Sequence, residues 1–161
     1  MFSLLIFSFL LYQIPGTLID QTPKLAGTYT YGGKSEDSPS GQILIHPIDD
    51  HTFNFYLDVN RGAPSYNMGQ IYGRAFVQAD KGIWVFQKTD TTSEKSCALT
   101  FSFKKGTVTI KTLSDEEDCG FGYGVIADGK YKRTNTNIPT YYITPTEDTV
   151  YFKKETSDLP R

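Results

Sequence analysis

Alternation with a period of two residues restricts this chain more than any other feature. In the stretch 53–59, Phe53, Phe55 and Leu57 fall on one side while Asn54, Tyr56 and Asp58 fall on the other. That is the pattern of a strand with one buried and one wet face. Comparable stretches cover 27–31, 42–48, 68–77, 82–88 and 97–104, punctuated by Gly, Pro, Asn and Asp. Beyond the N-terminal apolar run, no window sustains the helical apolar period of about 3.6 residues. The 11 Tyr and 11 Phe against 2 Met agree, because aromatic side chains favour strands.

Several local details define the expected barrel. In 68–77, Gly69, Ile71, Gly73, Ala75 and Val77 share one side, a small-residue face suited to strong curvature or close approach of another backbone. Further on, Cys97, Leu99, Phe101 and Phe103 share a side. A two-residue turn at Lys105-Gly106 then sets Phe103 opposite Val108 and Phe101 opposite Ile110, both apolar pairs. A bulged version of the turn stays open, since Lys is not the preferred first turn residue. About eight strands precede residue 134, the spacing of a sandwich or an up-and-down barrel. Gly27-Thr28-Tyr29 and Gly129-Lys130-Tyr131 stand near the two ends and match, as strands that meet and close a sheet would. The expectation is therefore all-β: about eight antiparallel strands in a meander, closing into a small lipocalin-like barrel over 21–134. Residues 135–161 form a separate tail. In it, 140–144 and 149–153 flank Pro145-Thr146-Glu147-Asp148, a turn signal, so the tail is either an extra hairpin on the barrel or a mobile appendage.

The apolar run 2–11, closed by Tyr12-Gln13-Ile14-Pro15-Gly16, is too short for a spanning helix, which takes about 20 residues. It fits a signal peptide over 1–20, cut near 16–20, and implies an exported, periplasmic or extracellular protein with no membrane span after processing. No Lys or Arg precedes the run, and a retained anchor is the other reading. In an exported chain the two cysteines, Cys97 and Cys119, are expected to be bridged as a structural staple. A net charge of −2 without a basic cluster argues against nucleic acid as a partner.

Chemistry-bearing motifs are sparse. The run Cys119-Gly120-Phe121-Gly122-Tyr123-Gly124-Val125 continues as strand and turn, not as the helix a phosphate loop requires. Its glycines are expected on a bent strand or against another backbone. His46 and His51, beside Asp49 and Asp50, read as surface turns and not as a metal site or a base. Asp115, Glu116, Glu117 and Asp118 lack Ca²⁺-loop spacing and read as a solvated loop, or as a contact surface for a basic partner such as a cationic secreted enzyme. No nucleophile elbow, Cys-His pair or metalloprotease helix is present, so the chain is expected to be non-enzymatic and free of cofactors and metal.

At Cys97-Ala98-Leu99-Thr100-Phe101-Ser102-Phe103, Cys119-Gly120-Phe121-Gly122 and Asp128-Gly129-Lys130-Tyr131-Lys132-Arg133, the chain resembles small exported bacterial β-domains of the lysozyme-inhibitor-like kind. The resemblance covers about a quarter of the chain and implies a periplasmic binding domain. The Ser-Gly-x-x-Tyr motif that c-type lysozyme inhibitors insert into the enzyme cleft is not found here. The leading expectation is a secreted or periplasmic binding module for a protein, an envelope or secreted one, with Arg61 and Tyr66 of the 60–67 loop and Asp115–Asp118 as its surface. The alternative is a lipocalin-like carrier whose cavity is lined by Phe53, Phe55, Leu57, Trp84, Phe101 and Phe103. A hydrolase of unrecognised type is the third.

Overall fold

The computed structural model describes residues 22–35, 37–78, 83–89, 96–114 and 116–152. The expected signal segment 1–20 and residues 153–161 of the expected tail lie outside them, as do Asp115 and the side chains of Trp84, Glu116 and Glu117. After a single helical turn (Thr22–Leu25) come β1 (Gly27–Gly32), β2 (Ser40–Pro47), β3 (Thr52–Asn60), β4 (Met68–Gln78), β5 (Ile83–Thr89), β6 (Ser96–Lys104), β7 (Thr107–Thr112) and β8 (Gly129–Asn135). Each strand pairs antiparallel with the next, and β8 returns to β1 to close an eight-stranded barrel. Two further strands, β9 (Tyr141–Ile143) and β10 (Thr149–Tyr151), form a separate hairpin.

The expected local registers hold. Phe101 lies opposite Ile110 and Phe103 opposite Val108, across a two-residue turn. Both turn residues, Lys105 (φ 46°) and Gly106 (φ 74°), have positive φ, the geometry that matches the twist of the flanking strands. The matching Gly-x-Tyr segments belong to the strands that meet: Tyr29 pairs with Arg133 and Thr30 with Lys132. Each tyrosine also makes the same bond. Tyr29 donates its hydroxyl to the Leu25 carbonyl at 2.8 Å, and Tyr131 donates to the Ala127 carbonyl at 2.9 Å, each four residues upstream. Because β1 and β8 run in opposite directions, the two corners sit at opposite ends of the barrel. Arg133 adds a stitch at the first end, donating to the carbonyls of Lys24 and Ala26 with its guanidinium 5.7 Å from the Tyr29 ring centre.

The interior is filled. Phe53, Phe55, Leu57, Leu99, Phe101, Ile43, Ile45, Val108 and Ile110 are fully buried. Their rings meet in tilted and edge-on contacts, with Phe55 4.8 Å and Phe53 5.9 Å from Phe101, and Phe53 6.0 Å from Phe103. An eight-stranded barrel is just wide enough for side chains to fill it, and here aromatic rings do so.

Three expectations need correction. The 119–125 run is not a bent strand. Gly120 (φ 71°) and Gly124 (φ 70°) take left-handed conformations that break a ladder, and the segment instead dips into the barrel mouth. Phe121 packs on Gly69, where a Cβ would collide with its ring, and Val125 and Ala127 are buried behind it. The second correction concerns β3, whose supposed wet face is largely covered. Asn54 is 2% and Tyr56 7% exposed, because β9–β10 pack on the outside of the barrel. Tyr142 stacks on Tyr56 at 4.2 Å, and Phe152 stacks on the His46 ring at 5.1 Å. His46 is thus a docking residue rather than a surface-turn one; its Nδ1 lies 2.8 Å from the Pro139 carbonyl.

Cys97 and Cys119 are joined, with Cα atoms 4.5 Å apart. The bridge ties β6 to the 3-10 turn at Glu116–Cys119. Reduction is expected to raise the mass of the protein by two hydrogens. A Cys97→Ala/Cys119→Ala variant is expected to lose about 3 kcal/mol in urea unfolding, the chain-entropy value for a loop of this order.

Candidate functional site

At the barrel end that carries Tyr131, three connections are knitted together. The β1–β2 loop meets the β3–β4 loop where Ala63 N–H donates to the Asp37 carbonyl at 3.0 Å and the Tyr66 hydroxyl donates to the Asp37 carboxylate. The β3–β4 loop is folded on itself: Gly62 N–H donates to Asn60 Oδ1 at 2.6 Å, Tyr66 N–H to the Gly62 carbonyl at 2.9 Å, and Arg61 N–H to the Asn67 carbonyl at 2.9 Å. Gly62 (φ 77°) is required where it stands, since a Cβ there would strike the Asp37 carbonyl.

The β7–β8 connection joins the same cluster. The Tyr123 carbonyl accepts from Asn67 Nδ2 at 2.8 Å and from Arg61 Nη1 at 3.3 Å, and the Arg61 guanidinium lies 5.8 Å from the Tyr123 ring centre. Gly124 is packed so closely on that guanidinium that a Cβ would come within 2.7 Å of Nη1. Gly122 N–H donates to the Met68 carbonyl at 3.0 Å. The glycines of this run therefore serve close approach to another backbone and to a cation. Tyr123 remains 81% and Tyr66 49% exposed, so two aromatic side chains project beside a fixed arginine. The Tyr66–Asp37 bond raises the pKa of this phenol, keeping it a donor.

Of the residues expected at a partner surface, Arg61 and Tyr66 are brought together. Asp118 closes the 3-10 turn beside Cys119 in the same connection as Tyr123, with Glu116 and Glu117 placed in that turn by their backbone and Asp115 outside the described residues. Asp37 and Tyr123, which complete the cluster, are not signalled by the sequence as site residues. The only hint at Tyr123 is its position between Gly122 and Gly124, which leaves the ring room to project. The expected cavity lining has a different fate. Phe53, Phe55, Leu57 and Phe101 face inward but pack on one another, Phe103 joins them, and Trp84 lies opposite Phe101 in the ladder. The Phe53, Phe55, Phe101 and Phe103 rings occupy interior space of the kind a lipocalin gives to its ligand.

A second concave feature lies on the outer wall. A groove of about 740 Å³ runs between the docked hairpin and the outer faces of β1–β4. Gln42, Asp58 and Gln70 form one cross-strand row across it, with Gln70 Nε2 donating to Asp58 Oδ1 at 2.9 Å. Burial, then the charge of Asp58 and the neighbouring Tyr142, push the Tyr56 hydroxyl up to about 12, so it stays protonated at neutral pH. Among the described residues, no group of three His, Cys, Asp or Glu side chains could hold a metal ion. No helix among them is long and apolar enough to cross a membrane.

Fold and surface together define an up-and-down eight-stranded β-barrel with a filled core, a docked C-terminal hairpin and one ordered loop end. Comparison with protein families, with curated proteins and with solved structures gives no match to this chain.

Tyr131 anchors the loop end from inside. Burial raises its pKa well above the ordinary value of 10, and the neighbouring Tyr31 and Asp128 push the same way. Tyr131→Phe leaves the buried Ala127 carbonyl unpaired and is expected to cost about 1–2 kcal/mol at neutral pH. A phenol with a raised folded pKa contributes its full stability below the unfolded value near 10 and loses it as the pH climbs toward the folded value. The stability gap between wild type and Tyr131→Phe, followed by urea unfolding, should therefore narrow above about pH 10.

Proposed function

We propose that this protein is a non-enzymatic, exported binding module that recognises a protein partner through its ordered loop end. The observation that carries the reading is Arg61, held beneath Gly124 and against the exposed Tyr123 ring, with Tyr66 exposed in the same loop. Tyrosine and arginine dominate the energetically important residues of protein interfaces, and binding by a surface already ordered avoids the entropy of fixing loops. The bonds from Ala63 and Tyr66 to Asp37, and from Asn67 and Arg61 to the Tyr123 carbonyl, supply that order without a partner. The Cys97–Cys119 bridge supports export to an oxidising compartment. The acidic stretch 115–118 of the sequence fits a cationic protein, which it would steer by charge.

The test is co-purification of the tagged protein with secreted and envelope proteins of its source, in parallel with a Tyr66→Ala/Tyr123→Ala variant. Tyr123 is largely and Tyr66 half exposed, so the variant should lose no more than about 1 kcal/mol, for the Tyr66–Asp37 bond, and stay folded. A partner held by the wild type and lost, by about tenfold or more in affinity, from the folded variant supports the assignment. A partner held equally by both places recognition elsewhere and sinks it.

A further inference from the structure

The outer-wall groove has a chemistry of its own. Its floor is the Gln42–Asp58–Gln70 row with the edge of Tyr56, and its hairpin wall presents Tyr141 and Tyr142. Tyr142 is fixed by stacking on Tyr56 at 4.2 Å and on Tyr72 at 5.5 Å, whereas Tyr141, which borders the groove, is 49% exposed with its ring 6.0 Å from that of Tyr151. A second hollow of about 280 Å³ continues past Gln42 and Asp58 toward Gly32 and Gly33, sharing those two side chains with the first. An occupant that uses both is therefore elongated. The larger groove lies within the range of about 300–1,000 Å³ common for ligand sites.

The lining selects the ligand. Among the described residues that line the groove, Asp58 is the one carboxylate, there is no Lys or Arg, and Gln42, Gln70, Asn135 and Asn137 add amides beside threonine and tyrosine hydroxyls. A phosphate or sulfate would meet a negative charge with no cation to offset it. A purely apolar chain would leave Asp58 and the amides dry and unpaired, which is costly. A proline-rich peptide would stack on tyrosines, but its proline nitrogens carry no hydrogen. A carboxylate only accepts, and one oxygen of Asp58 already accepts from Gln70, so the ligand must bring donors. A sugar ring brings both parts: a C–H face for an aromatic ring and hydroxyls that donate to a carboxylate and exchange bonds with amides.

We propose that this groove binds a neutral oligosaccharide, held against the Tyr141 ring at its rim and read through its hydroxyls by Asp58, Gln70 and Gln42. The groove does not include Tyr66 or Tyr123, so the chain carries two recognition surfaces. The experiment is calorimetric titration of the full chain with neutral hexasaccharides from cellulose, chitin, laminarin, mannan and starch, and with a proline-rich peptide. At least one hexasaccharide should bind, Tyr141→Ala and Asp58→Ala should each weaken it by about tenfold or more, and Tyr66→Ala/Tyr123→Ala should leave it unchanged. Gln42→Ala, on an exposed side chain, is the second variant should Asp58→Ala disturb folding; a weaker saccharide complex supports the site. Absence of binding by every hexasaccharide overturns the proposal, as does binding that survives Tyr141→Ala and Gln42→Ala. Occupation of the groove by the proline-rich peptide instead of a saccharide overturns it too.

Discussion

The pairing of β1 with β8 is the contact on which the rest of the molecule depends. A meander of curved strands has two raw edges, each a row of unpaired backbone groups open to other chains. Joining the first and last strands removes both at once and encloses the phenylalanines, whose rings pack tilted and edge-on against one another. The seam is reinforced on both sides of the barrel by one device used twice: a tyrosine two residues after a glycine, its hydroxyl bonded to a carbonyl four residues back. Each corner fixes the approach of the chain to its strand, and Arg133 holds the N-terminal turn over one of them.

Closure also explains why the loop end is ordered. The β7–β8 connection has to re-enter the barrel from the Cys97–Cys119 bridge before β8 can meet β1. On the way it buries Phe121, Val125 and Ala127 in the mouth and leaves Tyr123 outside. The side chains that plug the mouth and the one that projects from it alternate along a single short segment. The Arg61 loop then packs on that segment, so its geometry is inherited from the core beneath it.

Much of the fold is legible in the sequence because sheets obey local rules. Alternation located the strands, Lys105-Gly106 set the β6–β7 register, and the repeated Gly-x-Tyr segments pointed to the closing pair. What escaped was the product of packing between distant segments. Asn54, Tyr56 and Asp58 have the polarity of a wet face, and only the arrival of Tyr142 and Phe152 from far along the chain covers the first two. His46 has the neighbours of a turn residue, yet its partner is the Pro139 carbonyl, 93 positions away. The glycines at 120–124 were legible as a close-packing device, but not the guanidinium or the carbonyl that packs there. In the candidate site Arg61 and Tyr66 could be read from one loop; Asp37 and Tyr123 come from two others and meet them only in three dimensions.

The docked hairpin has a consequence for dynamics. In β3, five consecutive residues from Phe53 to Leu57 are buried, the odd ones under the barrel core and the even ones under or beside the hairpin. A strand paired on both sides and covered on both faces has no local route by which water can reach its amides. Its N–H groups can exchange with solvent only when the barrel opens as a whole, so β3 marks the deepest cooperative unit of the molecule.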